Sequence, residues 1–167
     1  DVGAVEKVLA DRFEQRALVV VDAVFSVDGE LAPLAGLAEV CRVHDATLVV
    51  DEAHALGVVG ARGEGAAAVA GLLGSPAVVL TATLSKSLGA QGGAVLGSAA
   101  VVAHLVDSAR TFVFDTGLAP SSAGAALAAL RVLQREPSRP ASVRARAGEL
   151  ARARLRERNH VLDRAGG

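Results

Sequence analysis

Lys86 is one of only two lysines in a chain whose other positive charge comes from arginine. It stands in Thr81-Ala82-Thr83-Leu84-Ser85-Lys86-Ser87-Leu88-Gly89-Ala90-Gln91-Gly92-Gly93, among hydroxyl and glycine residues that leave a ligand close access to the backbone. Arginine stays protonated, whereas a partly desolvated lysine can lose its proton and attack a carbonyl. A second stretch, Leu48-Val49-Val50-Asp51-Glu52-Ala53-His54-Ala55-Leu56-Gly57, ends an apolar run in a carboxylate and sets a histidine three positions later. Taken singly, each has an ordinary reading: a solvated loop lysine, a helix-capping aspartate, a histidine in a turn. Together, in one place, an amine, a carboxylate and an imidazole could do carbonyl chemistry.

Strands are the elements that could bring them together. Ala77-Val78-Val79-Leu80 precedes the lysine stretch, Thr47 to Val50 precedes Asp51, and Ala17 to Val24 runs into Phe25-Ser26-Val27-Asp28-Gly29. In a parallel α/β sheet, ligands bind outside the carboxyl ends of the strands, so Ser26, Asp51 and Lys86 can face one crevice. Such a set suits pyridoxal 5'-phosphate. Its aldehyde needs an amine, its ring nitrogen a carboxylate, and its phosphate hydroxyl and backbone donors.

The intervening pattern alternates strands and helices. Apolar spacing predicts a helix over Val5 to Phe13, and another opened by Pro33 and running to about His44. A glycine-rich passage, Gly57 to Gly65, leads to a small-residue helix around Ala66 to Leu73. A strand is expected at Gly93 to Leu96, a helix at Ser98 to Ala109, a short strand at Val113-Phe114, and an alanine-rich helix at Ser121 to Leu133. This rhythm predicts an α/β fold, a mainly parallel sheet with helices on both faces. Glu136-Pro137-Ser138-Arg139-Pro140 breaks it, and Arg144 to Arg158 reads as a charged helix, a solvated connector rather than a nucleic-acid-binding one because glutamates are interleaved.

Phe25-Ser26-Val27-Asp28-Gly29-Glu30-Leu31-Ala32-Pro33-Leu34, Asp51-Glu52-Ala53-His54 and Thr83-Leu84-Ser85-Lys86, in this order and spacing, resemble the α-oxoamine synthases. These are pyridoxal-phosphate enzymes of the aspartate-aminotransferase fold type (fold type I). Gln91-Gly92-Gly93-Ala94-Val95-Leu96-Gly97 and Phe112-Val113-Phe114-Asp115-Thr116-Gly117-Leu118-Ala119-Pro120 extend the resemblance, which covers roughly Asp1 to Leu133 and is strongest to the branch that makes 8-amino-7-oxononanoate. The resemblance implies a Schiff base between Lys86 and the cofactor aldehyde, with Lys86 later moving protons at the substrate α-carbon. It implies that Asp51 pairs with the pyridine nitrogen and that His54 and Ser26 sit on the phenolic-oxygen side of the ring. Thr83 would donate to the phosphate, with Ser85 a second candidate, and Thr116 would reach the phosphate across the interface of a homodimer.

The implied reaction is a decarboxylating condensation of L-alanine with a pimeloyl thioester, of CoA or of acyl carrier protein, in biotin biosynthesis. Relatives that use glycine (aminoketobutyrate ligase, aminolevulinate synthase) or serine (serine palmitoyltransferase) share most of these motifs. A full family member also carries an upstream glycine-rich phosphate loop and a ring-stacking histidine, and a downstream arginine for the substrate carboxylate. None is found here. The expectation is therefore that residues 1–136 form the central part of the cofactor-binding large domain and 137–167 a connecting helix toward a small domain. Alone, the 167-residue chain is expected to be inactive. A catalytically inactive remnant is the competing expectation.

Composition narrows the alternatives. A formal net charge of -1 and four phenylalanines as the whole aromatic content give no reason to expect nucleic acid binding. No apolar run approaches the roughly 20 residues of a membrane span, and Asp1-Val2-Gly3 lacks the basic start of a secretory signal. Cys41, the single cysteine, lies in a helical pattern as a buried small hydrophobe and fits a reducing cytoplasm. His44, His104 and His160 fall in helical or tail patterns as surface or packing residues, and no cluster has metal-ligand spacing, so no metal is expected. A nucleotide-binding domain using Gly57-Val58-Val59-Gly60-Ala61-Arg62-Gly63-Glu64-Gly65 is the remaining alternative, without the G-x-G-x-x-G spacing that reading requires.

Overall fold

The computed structural model describes residues 1–165, and side chains as far as residue 154; the expectation for His160 lies outside the described side chains. Three strands, β1 (Ala17–Asp22), β2 (Ala46–Asp51) and β3 (Val78–Thr83), run parallel in the order of the sequence, and β4 (Gly93–Leu96) closes the sheet antiparallel to β3. The register sets Asp22 beside Asp51 and Asp51 beside Thr81, so the strands end together along one edge.

The core lies on one face of this sheet. In β2 the period of two buries Ala46, Leu48 and Val50 and leaves Thr47, Val49 and Asp51 half-buried on the other side. Helix α1 (Val2–Ala10) packs on α2 (Leu34–Val43), and α2 lays Leu34, Leu37, Val40 and Cys41 into the core cluster with Leu48 and Val50. A four-residue helix, α3 (Ala66–Val69), adds Ala66 and Ala67. Where α2 ends, Asp45 takes φ +48, a left-handed turn that an aspartate tolerates, and β2 starts at once. Beyond β4 follow α4 (Ala99–Ser108), α5 (Arg110–Val113), α6 (Pro120–Arg135) and α7 (Arg139–Ala165).

The expected rhythm holds, with local corrections. Helix α1 begins at Val2 because the Asp1 carboxylate accepts the Ala4 N–H at 3.1 Å, and it ends before Phe13, which is exposed. Pro33 caps α2 from outside its first turn. The helix expected from Ala66 to Leu73 stops at Val69, and Gly71 and Gly74 follow at positive φ. Val113-Phe114 is not a strand. Among the described residues no strand pairs with it, and the N–H groups of Phe112 and Val113 instead bond the carbonyl of Ala109, making α5. Helix α7 starts at Arg139, earlier than the expected Arg144, because Pro140 sits in its first turn, where no amide hydrogen is needed.

Candidate active site

The ends of β2 and β3 build the site. Past Asp51 the chain turns sharply: Glu52 N–H bonds the Thr81 carbonyl across to β3, and the N–H groups of Ala55 and Leu56 both reach the Glu52 carbonyl at 2.9 Å. His54 rides on this turn. Past Thr83, Leu84 to Gly92 form a loop closed by Leu84 N–H to Gly92 O at 2.9 Å and Ala90 N–H to Leu84 O at 2.8 Å. Leu88 buries itself under the loop and leaves Lys86 at its exposed tip.

Two of the anticipated residues, 32 positions apart in sequence, meet here. Lys86 Nζ lies 3.0 Å from His54 Nε2 and 3.4 Å from Nδ1. Asp51 is half-buried at the adjoining strand end; one carboxylate oxygen accepts the Ala53 N–H at 2.7 Å, and no ion pair joins it to Lys86 among the described residues. Thr83 and Ser85 bring their hydroxyls to 2.7 Å of each other, and Thr83 Oγ1 also accepts the Ser85 N–H. Ser26 is exposed in the turn between the bridge residues Val24 and Leu31, beyond the end of β1. Thr116 is exposed and belongs to a different hollow, of about 670 Å³, which it shares with Gln91, Gly92, Gly93 and Asp115. Lys86 and His54 instead open on a cavity of about 390 Å³ walled by Leu56, Val58, Leu133 and Val143.

Glu52 went unnoticed in the sequence. It is the only buried charged residue among those described, and its carboxylate takes the N–H of Ala67 at 2.6 Å and of Ala66 at 3.0 Å, capping α3. The signal was present: the period that buries Leu48 and Val50 also puts Glu52 on the core side, opposite Asp51.

The same contact disposes of the nucleotide reading. A phosphate at the glycine-rich passage would need the α3 N–H groups, and Glu52 already holds them. Within the passage Glu64 accepts the Arg62 N–H at 2.7 Å, and its carboxyl is held below the usual range by its own N–H and that of Arg62. With Glu52 on the α3 donors and Glu64 on the Arg62 N–H, an anion here would meet two carboxylates. The glycines serve packing. A Cβ on Gly57 would lie 2.6 Å from Ser87 Cβ, and one on Gly63 would lie 2.9 Å from Gly57 Cα and from Pro140 Cγ.

The aminotransferase class I and II family matches residues 1–163. The chain belongs to this family. It is 62% identical over 151 residues to the 8-amino-7-oxononanoate synthase of Mycolicibacterium smegmatis, covering 90% of this chain and 40% of that protein. Among solved structures, a serine palmitoyltransferase from S. paucimobilis with bound PLP and myriocin aligns at TM-score 0.73 and 31% identity, over 80% of this chain and 33% of that one. The 8-amino-7-oxononanoate synthase of Francisella tularensis aligns at TM-score 0.63 and 29% identity, over 76% of this chain and 37% of that one. The chain thus spans about 40% of the length of the curated relative it matches. The mainly parallel sheet with its helices matches the fold of these neighbours.

Among the described residues, no three or more His, Cys, Asp or Glu side chains gather as a metal site, and no helix is long and apolar enough to cross a membrane. His104 faces outward beside Ser108 at 3.2 Å, and His44 closes α2 with its carbonyl accepting from Arg12.

Proposed function

We propose that this chain is the lysine-bearing part of a pyridoxal-phosphate-dependent 8-amino-7-oxononanoate synthase. The observation that carries the reading is the contact between Lys86 and His54 at the carboxyl edge of the sheet, beside Asp51. The residues fit the cofactor. Lys86 is an accessible amine, Asp51 keeps one carboxylate oxygen without a partner among the described residues, and Thr83 and Ser85 present paired hydroxyls.

When bound, the cofactor supplies an electron sink for a carbanion at the amino acid's α-carbon. Lys86 would hold the cofactor through its amine, and the same amine would take the proton from the amino acid's α-carbon. Asp51 would pair with the pyridine nitrogen and favour its protonated form. His54 and Ser26 would hydrogen-bond on the phenolic-oxygen side of the ring, and His54 would help orient the thioester carbonyl. Thr83 and Ser85 would donate to the phosphate, and Thr116 would reach it in the partner copy of a homodimer. The reaction joins L-alanine to a pimeloyl thioester, of CoA or of acyl carrier protein, and yields 8-amino-7-oxononanoate, carbon dioxide and the free thiol. Relatives at 62% identity support this choice of substrates.

On this reading residues 1–136 belong to the large domain and 137–167 to a connecting helix, and the 167-residue chain alone does not turn over. The test is pyridoxal phosphate plus borohydride with peptide mapping. One reduced adduct on Lys86, lost in Lys86→Ala, is expected; a folded chain that takes no adduct there overturns the cofactor assignment and leaves an inactive remnant. The full-length polypeptide is then assayed with alanine, glycine and serine. Turnover with serine and a long acyl thioester would favour the second reading, an α-oxoamine synthase of the serine palmitoyltransferase kind, which the fold neighbours at TM-score 0.73 support.

A further inference from the structure

Helix α7 touches the site without contributing a residue to its chemistry. The Arg144 guanidinium, 86 residues from Val58 in sequence, donates to the Val58 carbonyl and to the Gly60 carbonyl at 3.1 Å. One turn earlier, Pro140 is fully buried, with its Cγ 2.9 Å from where a Gly63 Cβ would be. Gly63 in turn lies against Gly57: the same imagined Cβ would be 2.9 Å from Gly57 Cα, and Gly57 N–H bonds the Gly63 carbonyl at 2.8 Å. Gly57 lies against Ser87, the residue next to Lys86. Gly57 is also three residues past His54, on the turn that carries the imidazole. A continuous column, Pro140, Gly63, Gly57, Ser87, therefore runs from α7 to the lysine loop with no side chain of the glycines to cushion it.

Close-packed contacts transmit displacement because a packed interior has no slack to absorb it. Each positive-φ glycine here is fixed twice, by its conformation and by its neighbours: Gly57 at φ +80 and Gly63 at φ +75. Arg144 adds charge-assisted bonds to two carbonyls of the same turn, which no other described side chain contacts by hydrogen bond at these positions. We propose that Arg144, through Pro140 and the Gly63–Gly57 turn, is a positioning residue that sets the placement of Lys86 against His54. The α7 segment is then a mechanical support of the active site, and a shift of α7 moves the reacting amine. The inference rests on reading Lys86 as the cofactor-binding amine, but its own test does not need the cofactor.

The test is amide hydrogen exchange on the full-length polypeptide, comparing wild type with Arg144→Ala and Arg144→Lys. Two peptides decide it: residues 57–65, which the arginine touches, and residues 84–92, which it does not. Loss of the clamp raises exchange of Gly89 and Ala90, whose N–H groups bond Lys86 and Leu84 carbonyls, by about fivefold, the low end of ordinary site-to-site coupling. Arg144→Lys, which can still donate to one of the two carbonyls, recovers part of the protection. Faster exchange confined to residues 57–65, or no change in either peptide, overturns the proposal and leaves Arg144 a local fastening. Should Arg144→Ala fail to fold, Arg144→Gln, which keeps a donor and much of the stem, carries the same readout. Borohydride trapping of pyridoxal phosphate adds a second arm: about fivefold slower trapping at Lys86 in Arg144→Ala supports the proposal, and unchanged trapping opposes it. If wild type traps none, the cofactor reading falls while the exchange result still decides the positioning role.

Discussion

Strands β2 and β4 are both short, apolar and continuous in the sheet, yet they end up in opposite environments. β2 has a strand on each side and buries Ala46, Leu48 and Val50 under α2. β4 pairs only with β3, and all four of its residues are exposed. The division extends along the chain. The core cluster of buried residues draws its members from Leu9 to Val78, whereas Phe112, Val113, Phe114 and Leu118, which follow β4, lie open. Buried packing therefore concentrates in the first half, and the candidate site residues are spread across both halves. Asp51 rides the buried strand, Lys86 the loop between β3 and β4, and Thr116 the exposed half.

The sharpest break of this comparison is a pair of truncations. Leu48→Ala removes a fully buried side chain and should cost about 2–5 kcal/mol in urea unfolding. Phe114→Ala removes a larger side chain that is 77% exposed, with the Arg110 guanidinium 5.7 Å over its ring, and should cost no more than about 1 kcal/mol. Equal losses would mean that the second half shares the core after all.

A finer contrast uses two neighbouring carboxylates. Glu52→Gln swaps the charged cap of α3 for a weaker acceptor and should lower stability by about 1–3 kcal/mol, with faster exchange at Ala66 and Ala67. Asp51→Asn makes the same chemical change one residue earlier, on the open side. It should leave stability within about 0.5 kcal/mol of wild type while weakening cofactor retention at Lys86. If Glu52→Gln is the variant that loses cofactor and Asp51→Asn the one that unfolds, the two roles have been interchanged.

These residues also mark how far the sequence could be read. The strand ends were legible because apolar runs stop at polar residues, and a parallel sheet brings such ends to one edge; that logic joined Lys86 to His54 across 32 positions. The failures share one cause, contacts distant in sequence. Nothing local distinguishes Val113-Phe114 from a strand except the lack of a partner. Nothing in Arg144 foretells that it reaches Val58 and Gly60. The glycines of 57–65 lack a nucleotide-binding spacing, but nothing local says that Gly57 and Gly63 are needed to pack against Ser87 and Pro140. Glu52 was the one miss that period-two counting could have caught.

The smallest effect tests the covered half with pH. Burial in α2 raises the Cys41 thiol above its ordinary value, because the apolar surroundings disfavour the thiolate. In the unfolded chain the same thiol ionises at its usual value near 9. Below that value both states hold the proton and the contribution to stability is fully present. As pH rises from there through the raised folded value, the unfolded state loses its proton first, so stability falls, by at most about 1.4 kcal/mol per pH unit for one group. Cys41→Ala should remove this part of the alkaline slope, whatever it costs in packing at neutral pH. Wild type should also resist thiol alkylation at pH 8 until denaturant is added. Rapid alkylation of the folded protein, or an alkaline slope unchanged in Cys41→Ala, would show that α2 opens readily and that the contrast between the two halves is shallower than the static packing implies.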